Sequence, residues 1–174
     1  YFDLVFCNSH DDGECPPIYG YSTPFDEESR IELPSGGARA GVIADLNGNG
    51  YDDLVVGMWF DGITNQQNAV IYYGSAAGWS ESRVQMLPAP LCRSIAAGDF
   101  NGDGRLDLAF LCAGKVRVFY QTEMGFEPKR FEEVVTGPLE STESMLLPGF
   151  EIPVLAAGRA VGLGAGDLDG DGFA

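Results

Sequence analysis

Residues 45–56 read D-L-N-G-N-G-Y-D-D-L-V-V, an acidic turn that runs directly into an apolar segment. The same pattern returns at residues 99–110 as D-F-N-G-D-G-R-L-D-L-A-F, and at residues 167–174 as D-L-D-G-D-G-F-A. The three copies begin 54 and 68 residues apart. Because self-similarity at such a spacing is the mark of a repeat architecture, we predict that the chain is built from successive copies of one structural unit.

Each unit is expected to contain four short strands, and residues 1–6 (Y-F-D-L-V-F) match the second half of the unit. Short apolar runs bounded by glycine, proline and asparagine are typical of strands buried between stacked sheets. No segment has helical periodicity, so the predicted fold class is all-β. Repeats of about this length with several strands are typical of β-propeller blades. The strands predicted in the two complete units are 38–44, 53–59, 69–73 and 83–87, followed by 94–98, 106–112, 115–120 and 130–135.

The acidic turns have the ligand spacing of a calcium site. Calcium takes about six to eight oxygen ligands, and one loop can supply them from side chains at positions 1, 3, 5 and 9 and a backbone carbonyl at position 7. Glycine at position 6 permits the sharp turn. The predicted ligands are Asp45, Asn47, Asn49, Tyr51 (carbonyl) and Asp53; Asp99, Asn101, Asp103, Arg105 (carbonyl) and Asp107; Asp167, Asp169, Asp171 and Phe173 (carbonyl); and, in the first unit, Asp3.

The alternative is that these Asp, Asn and Gly residues are simply turn formers. Three turns in the same frame, each leading into the same kind of strand or its start, favour calcium. An EF-hand is not expected because it needs a Glu at position 12 and two flanking helices, and magnesium prefers a smaller octahedral site. Since loop 45–53 uses two Asn ligands, we expect it to bind calcium more weakly than loop 99–107.

The repeated D-x-[DN]-G-[DN]-G-x-x-D-L core resembles the FG-GAP/VCBS repeats of integrin-α-like β-propellers, over nearly the whole chain. The resemblance implies about seven blades of four antiparallel strands, with the calcium loop joining the first two strands of a blade. The strands present are too few to close a ring, so we expect either part of a longer chain or an assembly of several copies. The implied divisions are a partial blade, two blades, an insertion and the start of another blade, at residues 1–37, 38–90, 91–136, 137–158 and 159–174.

The four cysteines are expected to form two local disulfide bonds. Cys92 and Cys112 flank the hairpin of the third unit and should lie nearly opposite each other in an antiparallel pair. Cys7 and Cys15 flank the turn N-S-H-D-D-G-E and can close it. The alternative is that the thiols are free and buried as small apolar groups. Disulfide bonds would indicate an oxidising compartment, so we expect an extracellular or cell-surface protein.

The charge of the chain excludes some classes of partner. It has 26 Asp and Glu against 10 Lys and Arg, a formal net charge of −16. Nucleic acids and anionic membrane surfaces need a basic face, so neither is expected as a partner. No apolar run reaches the roughly 18 residues of a membrane span. The N-terminal residues do not have the pattern of a signal peptide, so we expect the start to be processed or internal.

No catalytic residues are predicted. His10 is the only histidine and lies in a polar turn, so a nucleophile–base triad has no support. Trp59, Trp79, Tyr72 and Tyr73 fit either a sugar-binding face or, more simply, packing between blades. The predicted function is a calcium-stabilised, non-catalytic adhesion or recognition module that binds a protein or glycan. The alternatives are the scaffold of a secreted polysaccharide-cleaving enzyme and the subunit of a surface fibre formed by homo-assembly.

Overall fold

The computed structural model describes most of the chain, and this described part is all-β. Among its residues, the 3-10 turn at Glu27–Ser29 is the only helical element. No helix within the described segments has the length and apolar character that a membrane crossing requires. The described segments are residues 4–7, 17–21, 26–135, 143–147 and 150–154.

The strands of the described segments form three antiparallel sheets and one separate hairpin, and the strands of each sheet are hydrogen-bonded in chain order. The first sheet contains β1 (Leu4–Phe6), β2 (Ile18–Tyr21) and β3 (Arg30–Leu33). The second sheet contains β4 (Ala38–Ala44), β5 (Asp53–Met58), β6 (Ala69–Tyr72) and β7 (Val84–Leu87). The third sheet contains β8 (Cys92–Gly98), β9 (Asp107–Cys112), β10 (Lys115–Phe119) and β11 (Glu132–Val135). The hairpin contains β12 (Glu143–Leu147) and β13 (Phe150–Val154).

All eight strands predicted for the two complete units are confirmed, with boundaries that differ by two residues or fewer. The hairpin β12–β13 was not predicted, because it lies within residues 137–158, where the sequence does not match the repeat pattern. Several sequence predictions fall outside the described residues, so the structure does not address them: Asp3, His10, Cys15 and residues 159–174 with the predicted ligands Asp167, Asp169, Asp171 and Phe173.

Strand β5 is buried on both faces and joins the two hydrophobic cores. Leu54, Val56 and Met58 pack into the core shared with the first sheet, whereas Val55 packs into the core shared with the third sheet. Alternate side chains of a strand point to opposite faces, so a strand with a core on each side is apolar without interruption. The sheets therefore stack face to face, and the first strands β4 and β8 lie side by side.

Candidate metal centre

The two acidic loops within the described residues, 45–53 and 99–107, are each the hairpin connection between the first two strands of a sheet. Strand β4 ends at Ala44 and β5 begins at Asp53. Ligand position 1 of loop 45–53 is therefore the residue directly after β4, and ligand position 9 is the first residue of β5. Loop 99–107 connects β8 and β9 in the same way. The prediction of a loop between strands rather than between helices is confirmed.

The carboxylate at position 1 organises each loop by accepting backbone hydrogen bonds. Asp45 accepts from the N–H of Gly50 at 2.8 Å, and Asp99 accepts from the N–H of Gly104 at 2.7 Å. Each also accepts from the N–H at position 5, at 3.1 Å in both loops. Gly50 and Gly104 have φ angles of 83° and 84°, which glycine adopts without strain. The two loops therefore share one backbone conformation around the first carboxylate.

Side-chain oxygens at positions 3 and 5 are held in the same local way. The amide oxygens of Asn47 and Asn101 accept from the N–H at position 5, at 3.1 and 2.9 Å. Oxygens of Asn49 and Asp103 accept from the N–H at position 7, at 2.8 and 3.0 Å. One such bond uses a single lone pair of an oxygen, so each of these oxygens keeps capacity for a cation.

At position 9, Asp53 and Asp107 are fully buried carboxylates. Asp53 accepts from the N–H groups of Leu46 at 3.1 Å and Gly74 at 2.7 Å. Asp107 accepts an equivalent pair of backbone hydrogen bonds, at 3.0 and 2.8 Å. Among the described residues, neither carboxylate has a Lys or Arg side chain within ion-pair distance. A buried carboxylate is costly unless it is paired or neutralised, so both positions favour a cation.

Burial raises the pKa of Asp53 and of Asp107, and nearby carboxylates add to the effect: Asp45 beside Asp53, and Asp103 and Asp99 beside Asp107. At Asp99 burial acts in the same direction, but hydrogen bonds from the loop N–H groups outweigh it and lower the pKa. Without a cation, the stability contributed by Asp53 and Asp107 is fully present below their unfolded-state pKa and is lost as the pH rises through the raised value. A bound divalent cation favours the ionised forms and opposes this loss.

The predicted ligands are not equally available to a metal. Within the described segments, no group of three or more His, Cys, Asp or Glu side chains is arranged to hold one. In loop 99–107 both oxygens of Asp103 are engaged by Arg105, one by the backbone N–H at 3.0 Å and the other by the guanidinium. In loop 45–53 only Asp45 and Asp53 are carboxylates among the predicted ligands. A calcium site here therefore depends on amide and carbonyl oxygens as well, and in loop 99–107 on Asp103 exchanging its guanidinium partner for the ion.

Gln121 is a buried residue that the repeat pattern did not identify. Its backbone N–H donates to Asp107 at 2.8 Å, and its side-chain amide donates to the carbonyl of Leu46, in the neighbouring loop, at 2.9 Å. Gly74 holds the equivalent place in the second sheet, where its N–H donates to Asp53. Both residues come two positions after the last residue of the third strand of their sheet, so this spacing could have identified them from the sequence.

The predicted register of Cys92 and Cys112 is confirmed, because the two residues are direct partners across β8 and β9. Both are buried free thiols in the structure, so their disulfide bond stays a prediction. Cys7 is also a free thiol, and its predicted partner Cys15 lies outside the described residues. Cys92 packs closely on Gly57 of the second sheet, where an added Cβ would lie 2.8 Å from the Cβ of Cys92.

The structure does not bring the four candidate sugar-binding aromatics together. Tyr72 is buried in the core between the first and second sheets, and Tyr73 packs against the other core. The Trp79 indole N–H donates to the Asp52 carbonyl at 2.7 Å, beside loop 45–53. Trp59 follows β5, at the end of the sheet opposite that loop. The two tyrosines therefore have the packing role that the simpler interpretation gave them.

Comparison with known proteins identifies a repeat family for the segment that contains both described loops. Residues 45–110 match the family model of the FG-GAP-like repeat. The matched segment begins at position 1 of the first described loop, includes the whole of the second and ends within β9. No curated protein and no solved structure gives a significant match to the chain.

Proposed function

Residues 45–110 are FG-GAP-like repeat sequence, and on that premise we propose that the chain is part of a calcium-stabilised β-propeller that serves as an extracellular recognition or adhesion module. The three stacked sheets are successive blades in this proposal. Calcium ions at the hairpin loops stabilise them, and the outer surface binds a protein or glycan partner without catalysis.

The buried carboxylates at position 9 carry the proposal. Asp53 and Asp107 each lie at the base of an oxygen-bearing loop. Among the described residues, both accept hydrogen bonds from backbone N–H groups, and Asp53 also accepts one from the Asn47 side-chain amide. Calcium prefers carboxylate, amide and carbonyl oxygens, which are the groups that both loops supply. The residues that would hold an ion are those at positions 1, 3, 5 and 9, together with the carbonyls of Tyr51 and Arg105.

Thermal unfolding in calcium and in chelator tests the proposal. Because the folded chain binds the ion and the unfolded chain does not, calcium at about 100 times its Kd adds about 2.7 kcal/mol to the free energy of unfolding. For a chain of this size we expect the melting temperature to rise by roughly 5–10 °C. An equal melting temperature in millimolar calcium and in excess chelator would contradict the proposal.

Matched variants assign the effect to the loops. Asp53→Asn and Asp107→Asn each remove a predicted ligand charge and should reduce the calcium-induced shift. Asp52→Asn is the control, because Asp52 is exposed, adjoins Asp53 and is not a predicted ligand. If Asp52→Asn reduces the shift as much as Asp53→Asn, calcium is acting on the overall charge and not at these loops.

A further inference from the structure

We propose that the cavity between the first and second sheets, beside loop 45–53, binds a small quaternary ammonium cation such as choline. The aromatic side chains of Tyr21, Tyr51 and Trp79 and the carboxylate of Asp52 supply the contacts. This inference goes beyond the recognition function proposed above, because it adds a small-molecule site. Neither the Tyr51 side chain nor the Asp52 side chain is a predicted calcium ligand, so the two proposals can fail separately.

The cavity lies at the end of the sheets that carries the acidic loops and has a volume of about 460 Å³. Its wall on the first sheet contains Gly20 and Tyr21, both in β2. Its wall on the second sheet contains Tyr51, Asp52 and Trp79. Cavities of roughly 300–1,000 Å³ are usual for small-molecule sites, so the space suffices for a small organic cation.

The aromatic side chains of the second wall are fixed in different ways. The Trp79 indole N–H donates to the Asp52 carbonyl at 2.7 Å, and a Cβ added to Gly20 would lie 3.3 Å from the indole ring. The Trp79 ring is therefore fixed between the two sheets. Tyr51 is 45% exposed, so its ring is open to a ligand that enters from solvent.

The corresponding place between the second and third sheets is filled by apolar side chains. Position 8 of loop 99–107 is Leu106, which packs against the core between these sheets, whereas position 8 of loop 45–53 is the exposed Asp52. Phe126 holds the position of Trp79 and is buried. The repeat therefore replaces a packed leucine with a carboxylate at the cavity.

Gly74 lines the cavity and helps to keep it open. At the corresponding position of the third sheet, Gln121 has a side chain that reaches the carbonyl of Leu46 at 2.9 Å. A Cβ on Gly74 would collide with the carbonyl oxygen of Asp52, so this position cannot hold a side chain without a shift of the backbone.

Two of the polar side chains that line the cavity are already hydrogen-bonded within their own turns. The Ser29 hydroxyl donates to the carbonyl of Asp26 at 3.0 Å, and the Ser75 hydroxyl donates to the carbonyl of Gly78 at 3.2 Å. The Asp52 carboxylate, in contrast, has no hydrogen bond or ion pair with the residues that the structure describes. It is therefore available to a ligand.

The electrostatic surroundings favour a cation. The chain has a formal net charge of −16, which attracts cations and repels anions. No Lys or Arg is among the described residues that line the cavity. Arg30, which follows Ser29, is in ion pairs with Glu27 at 2.6 Å and with Glu32 at 2.8 Å, so its charge is offset.

The contacts favour a cation that has no N–H groups. A primary ammonium brings three hydrogen-bond donors, and a carboxylate whose neighbours are already engaged cannot accept from all of them. A quaternary ammonium has no donors to satisfy, and aromatic rings together with one carboxylate stabilise its charge. A small quaternary ammonium cation therefore fits the cavity better than a primary amine.

Tryptophan fluorescence tests the site directly. Trp59→Phe leaves Trp79 as the single tryptophan, and this protein is titrated with choline and with the neutral isostere of choline in which carbon replaces nitrogen. We expect a saturable change with choline and none with the isostere. Ethanolamine, the primary amine of the same chain length, should bind more weakly than choline. Phosphocholine should also bind more weakly, because the acidic chain repels its phosphate.

Matched variants assign the binding to the cavity. Asp52→Asn should weaken choline binding by about fivefold, because it removes the carboxylate. Tyr51→Leu should weaken it by about two- to fivefold, whereas Tyr51→Phe keeps the ring and should bind as before. Glu123→Gln is the control, because it removes the same charge from an exposed residue of the corresponding turn in the third sheet and should leave binding unchanged.

Absence of a saturable change with choline, or an equal loss of binding in Glu123→Gln, would overturn the site. Equal binding of the neutral isostere or of ethanolamine would overturn the quaternary ammonium as the ligand, and tighter binding of phosphocholine would overturn the free cation. The calcium-induced shift in melting temperature is measured on the same proteins. A normal shift without choline binding overturns this inference alone, and choline binding without a shift supports the site while contradicting the calcium proposal.

Discussion

Arg105 shows how one side chain changes the chemistry of a loop that otherwise copies its neighbour. At position 5, loop 45–53 has the neutral Asn49, whereas loop 99–107 has Asp103 in an ion pair with Arg105. The additional carboxylate led us to expect tighter calcium binding by loop 99–107. The Arg105 guanidinium offsets the charge of Asp103, so a count of ligand carboxylates overstates the expected difference in calcium affinity between the two loops.

Arg105→Gln is expected to strengthen calcium binding at loop 99–107. An exposed ion pair contributes about 0.2–1 kcal/mol, so freeing Asp103 should raise the affinity by up to about fivefold. The backbone carbonyl of residue 105, a predicted ligand, is kept. Calorimetric titration measures the affinity, and Arg130→Gln, which removes the same charge from an exposed site, serves as control. An unchanged or weaker affinity would show that Arg105 does not compete with the ion.

The strands at the contact between the second and third sheets leave no room beside Gly57. An added Cβ there would lie 3.3 Å from Ile95 and closer still to Cys92. Both neighbours are buried, so neither can move into solvent. Glycine at position 57, next to the end of β5, is therefore a packing requirement of the stacked sheets.

Gly57→Ala should lower the free energy of unfolding by about 1–3 kcal/mol, as overpacking of a buried contact does. Combining it with Cys92→Ala should recover part of the loss, because the colliding sulfur is removed. Urea unfolding of the two single variants and the double variant gives the coupling energy. Gly41→Ala is the comparison, since a Cβ there would lie 3.1 Å from the Cys7 sulfur and should cost less. Strictly additive effects would exclude a direct contact.

The strands could be predicted from sequence because their pattern is local. A run such as Leu54 to Met58 is apolar throughout since both of its faces are buried, and the turns on either side are rich in glycine and asparagine. The loop positions followed from the same local repeat. The position of Gln121 after the third strand follows the repeat. Its side-chain contact with Leu46 depends on how the sheets stack, and no local pattern encodes that contact.

The charge of the chain as a whole opposes its compact state. The chain has 26 acidic residues against 10 basic ones, and the loops 45–53 and 99–107 concentrate carboxylates at one end of the sheets. Like charges at this density repel each other, and the repulsion is relieved by salt or by bound cations. The stability of the chain should therefore depend on ionic conditions.

In chelator, raising NaCl from about 10 to about 150 mM shortens the Debye length from roughly 30 to 8 Å. We expect the melting temperature to rise, by about 2–4 °C for each kcal/mol of repulsion that is screened. In saturating calcium the rise should be smaller, because the loop carboxylates are already neutralised. Differential scanning calorimetry at matched pH measures both series. Equal slopes with and without calcium would show that the ions do not relieve the repulsion.

Gln121 gives the two loops a common support. Its backbone N–H binds the last carboxylate of loop 99–107, and its amide binds the second residue of loop 45–53. An ion held by either loop therefore orders a segment that the other loop also uses. The first ion to bind bears the entropy cost of ordering that segment, and the second ion binds to a segment that is already ordered. The second ion should therefore bind more tightly than the first, and the Hill coefficient for calcium should exceed one.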